Sequence, residues 1–255
     1  MVAGGGSSIE VIRLFHSFEL HGQPLSVLDG IDLSVESGEF VAMLGPSGCG
    51  KSTLLRLIAG LDRPHSGRIC MGGRQIDSPH PSRILVFQDP TLYPWRTVRK
   101  NVALGLQARG LQREQNWRID AVLRQVGLMG FDDAYPHQLS GGMAQRAALA
   151  RALVNDPSVL LMDEPLANLD SLTRIAMQTE LVGLWQQAGF TAFLVTHDVE
   201  EALCLAGRVL VMSNRPARVV VDIEVDMPYP RHRAGPRFAE LREHVLEALG
   251  LQTQW

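Results

Sequence analysis

Residues 40–59 read FVAMLGPSGCGKSTLLRLIA. An apolar segment, Phe40–Leu44, enters Gly45-Pro46-Ser47-Gly48-Cys49-Gly50-Lys51-Ser52-Thr53 and continues as an apolar, helix-compatible run. Glycines at 45, 48 and 50 let successive backbone N–H groups converge on an anion, and the helix beginning near Lys51 adds its positive dipole end. The Lys51 ammonium suits the outer phosphates and the Ser52 hydroxyl suits a magnesium ion held between them. Residues 45–53 therefore predict a site for a nucleoside triphosphate with magnesium. By themselves they do not separate a hydrolase from a kinase. Cys49, at a helix N-terminus beside Lys51, is expected to carry an acidic thiol, so that thiol reagents inhibit and the bound nucleotide with magnesium protects; its bland reading is a small residue in a tight turn.

A chain of 255 residues, 45% hydrophobic and 20% charged, has the composition of a globular protein with a sizeable core. The net charge of −3 argues against a dominant nucleic-acid-binding surface. Three widely spaced cysteines, Cys49, Cys70 and Cys204, show no metal-type pairing and fit a reducing compartment. The N-terminal MVAGGGSSIE lacks the basic and apolar segments of a secretory signal. The uncharged stretch from Leu181 to Thr196 is interrupted by Gln186, Gln187 and Gly189, so no membrane span is expected. A membrane role would come through a partner.

Strands are expected at Ile9–Leu14, Ile31–Glu36, Arg68–Met71 and Ile84–Phe87. From Thr97 to Val154 the pattern turns helical, with Ile119, Val122, Leu123 and Val126 on one buried stripe. After Asn155-Asp156-Pro157, strands at Val159–Met162, Phe190–Thr196 and Arg208–Met212 alternate with helices from Ser171 and Val199. Strands separated by helices imply an α/β fold with a largely parallel, doubly covered sheet. A β-like run over Arg218–Val225 and an amphipathic helix carrying Phe238, Leu241, Val245 and Leu249 close the chain.

Val159-Leu-Leu-Met-Asp163-Glu164-Pro165 is an apolar strand ending in two carboxylates, and strand ends of such sheets line the ligand crevice. Asp163 suits magnesium and Glu164 suits polarising a water. Leu139-Ser140-Gly141-Gly142-Met143 opens a helix, where a hydroxyl and two glycine amides make a second anion site; alone, it reads as a capped helix start.

Taken together these residues resemble the ATP-binding cassette (ABC) family over nearly the whole chain. Gly45–Ser52 resembles its Walker A loop, Gln88 its Q-loop, Leu139–Met143 its signature, Val159–Glu164 its Walker B strand, Ala167-Asn-Leu-Asp170 its D-loop, His197 its switch histidine and Phe18 the aromatic that stacks on adenine. The resemblance implies a P-loop NTPase core with a mostly parallel sheet, an antiparallel β subdomain and an inserted helical subdomain. Within one domain spanning 1–255, residues 1–90 and 156–215 would form the core, 91–155 the helical subdomain with the signature, and 216–255 a C-terminal extension.

It also implies a head-to-tail dimer, ATP on the loop of one copy being covered by Ser140, Gly141 and Gly142 of the other, with Asp170 nearby. Lys51, Ser52 and Asp163 would serve phosphates and magnesium, Gln88 magnesium and the attacking water. Glu164 would act as base and His197 would orient it, the family leaving open which of the two is the true base. Met143, Ala144 and Asn168 depart from the commoner residues in ways that bear on rate and dimer affinity. Gln88–Trp95, reading QDPTLYPW, offers an apolar surface to a permease helix. Motif order, together with the stretches Phe87–Leu106 and Arg215–Pro230, resembles the nitrate, sulfonate and taurine importer branch. That implies a peripheral subunit at the cytoplasmic face of the inner membrane, working with a permease and, indirectly, a solute-binding protein. The rival readings are a soluble cassette ATPase, which would usually show a coiled-coil insertion, zinc cysteines or a second cassette, and a kinase, which would leave the signature and D-loop idle.

Overall fold

A computed structural model describes residues 5–251; residues 1–4, the start of the stretch read above for a leader, and residues 252–255 lie outside the described residues. In chain order the elements are β1 (Ile9–Leu20), β2 (Gln23–Val35), β3 (Phe40–Leu44), α1 (Lys51–Ala59), β4 (Ser66–Met71), β5 (Arg74–Gln75) and β6 (Arg83–Val86). A helical stretch follows: α2 (Val98–Val102), α3 (Leu104–Ala108), α4 (Gln112–Gln115), α5 (Trp117–Gln125), a 3₁₀ turn (Pro136–Gln138) and α6 (Gly141–Leu153). The chain then runs through β7 (Val159–Asp163), α7 (Ser171–Ala188), β8 (Thr191–Val195), α8 (Val199–Leu205), β9 (Arg208–Met212), β10 (Val219–Glu224) and α9 (Pro236–Ala248).

Two sheets organise these elements. The larger has the order β10-β9-β3-β8-β7-β6, all neighbours parallel except the β10–β9 edge pair. The smaller, β2-β1-β4-β5, is antiparallel. The continuous apolar runs of the parallel strands are explained by burial on both faces. Phe40, Ala42 and Leu44 face one core with Leu160, Met162, Ala192 and Leu194. Val41 and Met43 face the other with Leu161, Phe193 and Val195. The pleat alternates the side chains, and helices or the second sheet cover both sides. The first core joins the sheet to α5–α9, the second to α1 and the antiparallel strands.

The expected strands at Ile9–Leu14 and Ile31–Glu36 are parts of one long hairpin, Ile9–Val35, turning at His21 and Gly22 with φ of 52° and 76°. Positive φ at both turn residues suits the right-handed twist of a tight hairpin. The outer half was hidden from hydrophobic patterning because Ser17–Leu20 and Gln23–Ser26 are mostly exposed, and cross-strand pairing holds them instead. The short β5 was not anticipated. The stripe on α5 is buried as expected, although Val126 lies just past the helix end, and Leu249 likewise follows α9.

Candidate active site

Because β3, β8, β7 and β6 are parallel neighbours, their C-terminal ends share one edge. Residues 45–50 follow β3, Thr196 and His197 follow β8, Asp163 ends β7 with Glu164 next, and Gln88 lies two residues past β6. The crossover helix α1 packs beneath β6, β7 and β8. It carries Ser52 across β8, and Ser52 Oγ donates to Asp163 Oδ1 at 2.9 Å. Burial lifts the Asp163 carboxyl above its ordinary range and the Glu164 charge adds to the lift, against the pull of the Ser52 hydroxyl and Lys51. Lys51 is buried, its Nζ donating to the carbonyls of Gly45 and Pro46, each at 2.8 Å, so the ammonium is held against the loop that curls over it.

Glu164 has φ of 47°, uncommon for a residue with a side chain. Its N–H donates to Val195 O at 2.9 Å, continuing the β7–β8 ladder one residue past the strand. The backbone turns there, and Glu164 Oε2 lies 3.1 Å from Nδ1 of the exposed His197. A strained backbone held by a ladder bond and a side-chain partner is the kind found where a functional group must point one way.

An open cleft of about 220 Å³ is lined by Phe18, Val27, Ser47, Gly48, Gly50, Lys51, Ser52, Thr53, Glu164 and Arg215. Phe18, on β1, is 45% exposed and presents its ring at this cleft, with His16 edge-on behind it at 4.8 Å. Gly50 has φ of 131°, and a Cβ there would come within 2.9 Å of both Val27 and Leu28 side chains, so the loop is pressed onto β2.

Gly45, Pro46 and Cys49 are not among the cleft-lining residues. The Cys49 N–H donates to Pro46 O at 3.3 Å, closing the loop's own turn. Its side chain is only 2% exposed, with Sγ 3.8 Å from Lys51 Nζ. The thiol lies under the loop, so the expected inhibition by thiol reagents would need the loop to move, and the small-residue-in-a-tight-turn reading fits.

The structure leaves Ser140, Gly141, Gly142 and Asp170 outside that cleft. Ser140 caps α6, its Oγ accepting from the Met143 N–H at 3.3 Å. Gly142 abuts the first turn of α7, where a Cβ would meet Thr173 at 2.6 Å. Asp170 caps α7 by accepting from the N–H groups of Leu172 and Thr173; the Thr173 hydroxyl, and then these N–H groups, hold its carboxyl below the ordinary range. Gln88 is exposed and does not line the cleft.

Residues unflagged by sequence reasoning also belong here. Arg215 follows β9, a parallel neighbour of β3, so the strand-end rule could have found it. Val27 offered no signal. Arg151 on α6 donates to Pro90 O and Thr91 O, each at 2.9 Å, tying the segment after Gln88 to the helix that Ser140 begins.

The ABC transporter family model matches residues 28–167. An uncharacterized ABC transporter ATP-binding protein of Methanocaldococcus jannaschii is 47% identical over 242 residues, 94% of this chain and 91% of that protein. An aliphatic sulfonates import ATP-binding protein of Ralstonia nicotianae is 49% identical, covering 92% of this chain and 80% of its own length. A nitrate import ATP-binding protein of Synechococcus elongatus is 46% identical over 91% of this chain and 36% of its own. Among solved structures, a dimeric post-hydrolysis state of an ATP-binding cassette bound to ADP and Pi superposes with a TM-score of 0.75 at 29% identity, covering 86% of this chain and 100% of that one.

Proposed function

The chain belongs to the ABC transporter family, and from that membership we propose that it is the ATP-hydrolysing subunit of an importer of small anionic solutes such as nitrate, sulfonates or taurine. The observation that carries the reading is the convergence at one sheet edge of Lys51, the Ser52–Asp163 pair and the Glu164–His197 pair. Among the described residues, those within 1–90 and 156–215 form its nucleotide-binding core, those within 91–155 the helical subdomain and those within 216–255 the C-terminal extension.

The roles follow from position. Phe18 stacks on the base, and the backbone of residues 45–53 with the Lys51 ammonium holds the phosphates. Hydroxyl and carboxylate oxygens 2.9 Å apart are the hard donors that magnesium takes, so Ser52 and Asp163, with Gln88, would hold it. The metal, when bound, neutralises charge on the phosphate oxygens. Glu164 accepts a proton from the attacking water, and His197 fixes the carboxylate's direction.

Ser140, Gly141 and Gly142, with Asp170, cover the nucleotide of a second copy, since within one chain they lie outside the cleft. Head-to-tail pairing of two copies completes both sites at once.

Coupling to a permease uses the groove beside Gln88. It is lined by Phe87, Pro90, Leu104, Gly105, Arg151 and Asn155 and has a volume of about 270 Å³. Tyr93 and Trp95, stacked at 5.1 Å, expose 43% and 71% of their surface. Through Arg151, movement of the Gln88 segment pulls on α6 and hence on Ser140. Among the described residues no helix is long and apolar enough to cross a membrane. We place the subunit at the cytoplasmic membrane face, held there by the permease, with solute choice left to the permease and a solute-binding protein.

The test is reconstitution of the chain with the permease that co-purifies with it, followed by uptake of labelled taurine, an alkanesulfonate or nitrate. ATP-dependent uptake that Glu164→Gln abolishes is expected. Failure of any membrane protein to co-purify, with full ATPase activity in the isolated chain, would favour the soluble cassette instead.

A further inference from the structure

Between α7 and the segment leading into α9 lies a cavity of about 380 Å³, within the range of roughly 300–1,000 Å³ that holds small ligands. Ile175, Val182 and Leu205 make its apolar wall, the Tyr229 ring closes one side, and Arg231 and Arg233 border it. None of these residues lines the cleft at the strand ends.

Gly183 lines the cavity. It sits inside α7, where glycine costs about 1 kcal/mol relative to alanine. A Cβ added there would meet nothing within 4 Å, so no close approach requires glycine.

The bordering arginines outnumber the carboxylate that pairs with them. Arg231 donates to the carbonyls of Leu203, Val225, Met227 and Ala206, stacks 4.2 Å over Tyr229 and, among the described residues, pairs with no carboxylate. Arg233 and Arg242 share one carboxylate, that of Glu200, at 3.6 and 3.3 Å. That excess of positive charge suits an anion, and the apolar wall suits a hydrocarbon body attached to it.

Hydrogen bonds link the cavity to the catalytic edge. Arg233 Nη2 donates to Oε1 of buried Gln178 at 2.5 Å, and Gln178 Nε2 donates to Glu201 Oε1 at 3.4 Å. Glu201 in turn bonds Thr196, the residue before His197.

We propose that this cavity is an effector site for a small organic monoanion with an apolar body, of the alkyl sulfonate or carboxylate class, acting on His197 through Arg233, Gln178 and Glu201.

The probe is 1-hexanesulfonate, titrated calorimetrically into the full chain, with inorganic sulfate and 1-hexanol as half-ligands. Saturable binding at one per chain is expected, with each half-ligand at least about tenfold weaker. Gly183→Leu and, independently, Val182→Phe fill the cavity; each should weaken binding about tenfold while preserving the circular dichroism spectrum and basal turnover. Saturating probe should change the ATPase rate of the unmodified chain and leave that of Gly183→Leu unmoved. Equal affinity in both folded variants, half-ligands binding as tightly as the probe, or no binding would overturn the site. Binding without any change in turnover would overturn its link to His197.

Discussion

His197 Nδ1 lies 3.1 Å from Glu164 Oε2, joining the residue that follows β7 to the loop that follows β8. The contact exists because those two strands are parallel neighbours, with Asp163 opposite Val195. It fixes one carboxylate oxygen, while the positive φ of Glu164 directs the group off the strand line.

Glu164→Gln should retain nucleotide binding and lower turnover by about 10²–10⁴-fold, with an ATP-bound dimer accumulating on size-exclusion chromatography. His197→Ala should reduce turnover while leaving nucleotide affinity near that of the unmodified chain. Normal turnover in Glu164→Gln would remove the base from this position.

The Ser52–Asp163 hydrogen bond predicts a metal-dependent defect. Asp163→Asn can still accept from Ser52 but brings no charge, so nucleotide affinity in EDTA should be nearly unchanged while the gain on adding magnesium is lost. A fluorescent nucleotide titrated with and without magnesium reads both. The same magnesium-dependent gain in the variant would exclude Asp163 as a metal partner.

Ser140→Arg places a large cation on α6 outside the chain's own cleft. Nucleotide binding to the isolated chain should survive and turnover should vanish. In the unmodified protein at low concentration, the rate should rise with the square of concentration. Weakened nucleotide binding by the monomeric variant would show that Ser140 acts within its own chain.

Glu201 is 4% exposed, and burial raises its carboxyl above the ordinary range. Between its unfolded and folded values the folded chain holds the extra proton, so this contribution to stability is complete at acid pH and is lost as pH rises through the folded value. Glu201→Gln stays neutral throughout. Its Tm should exceed that of the unmodified chain near pH 8 by about 2–4 °C for each ~1 kcal/mol recovered, and the gap should close toward about pH 4. A gap that widens toward acid would contradict the burial argument.

Much of the site was legible because its chemistry is local. Residues 45–53 must be contiguous to wrap an anion, and Asp163 and Glu164 must sit at the end of one apolar strand. Arg151 and Arg215 were not legible, since an arginine in a helix or loop reads as a solvated cation until its neighbours are known. The burial of Cys49 was not legible, because its closeness to Lys51 is local, whereas its cover by the loop and the adjoining sheet is not. The hairpin's outer half escaped because pairing across the turn, rather than burial, holds its polar residues.

The sequence by itself determined which segments carry an anion-binding pattern, which strands are buried on both faces, and that the helical run interrupts an α/β alternation. These depend on residue type and spacing over a few turns or strand lengths. Only the tertiary structure decided which of them meet. The order β3-β8-β7-β6 and the crossing of α1 bring Ser52 to Asp163 across 111 positions, and the same packing holds Ser140 to Gly142 outside the cleft of their own chain. Strand order is set by how two apolar faces are covered at once, a property of the whole core that no short stretch contains.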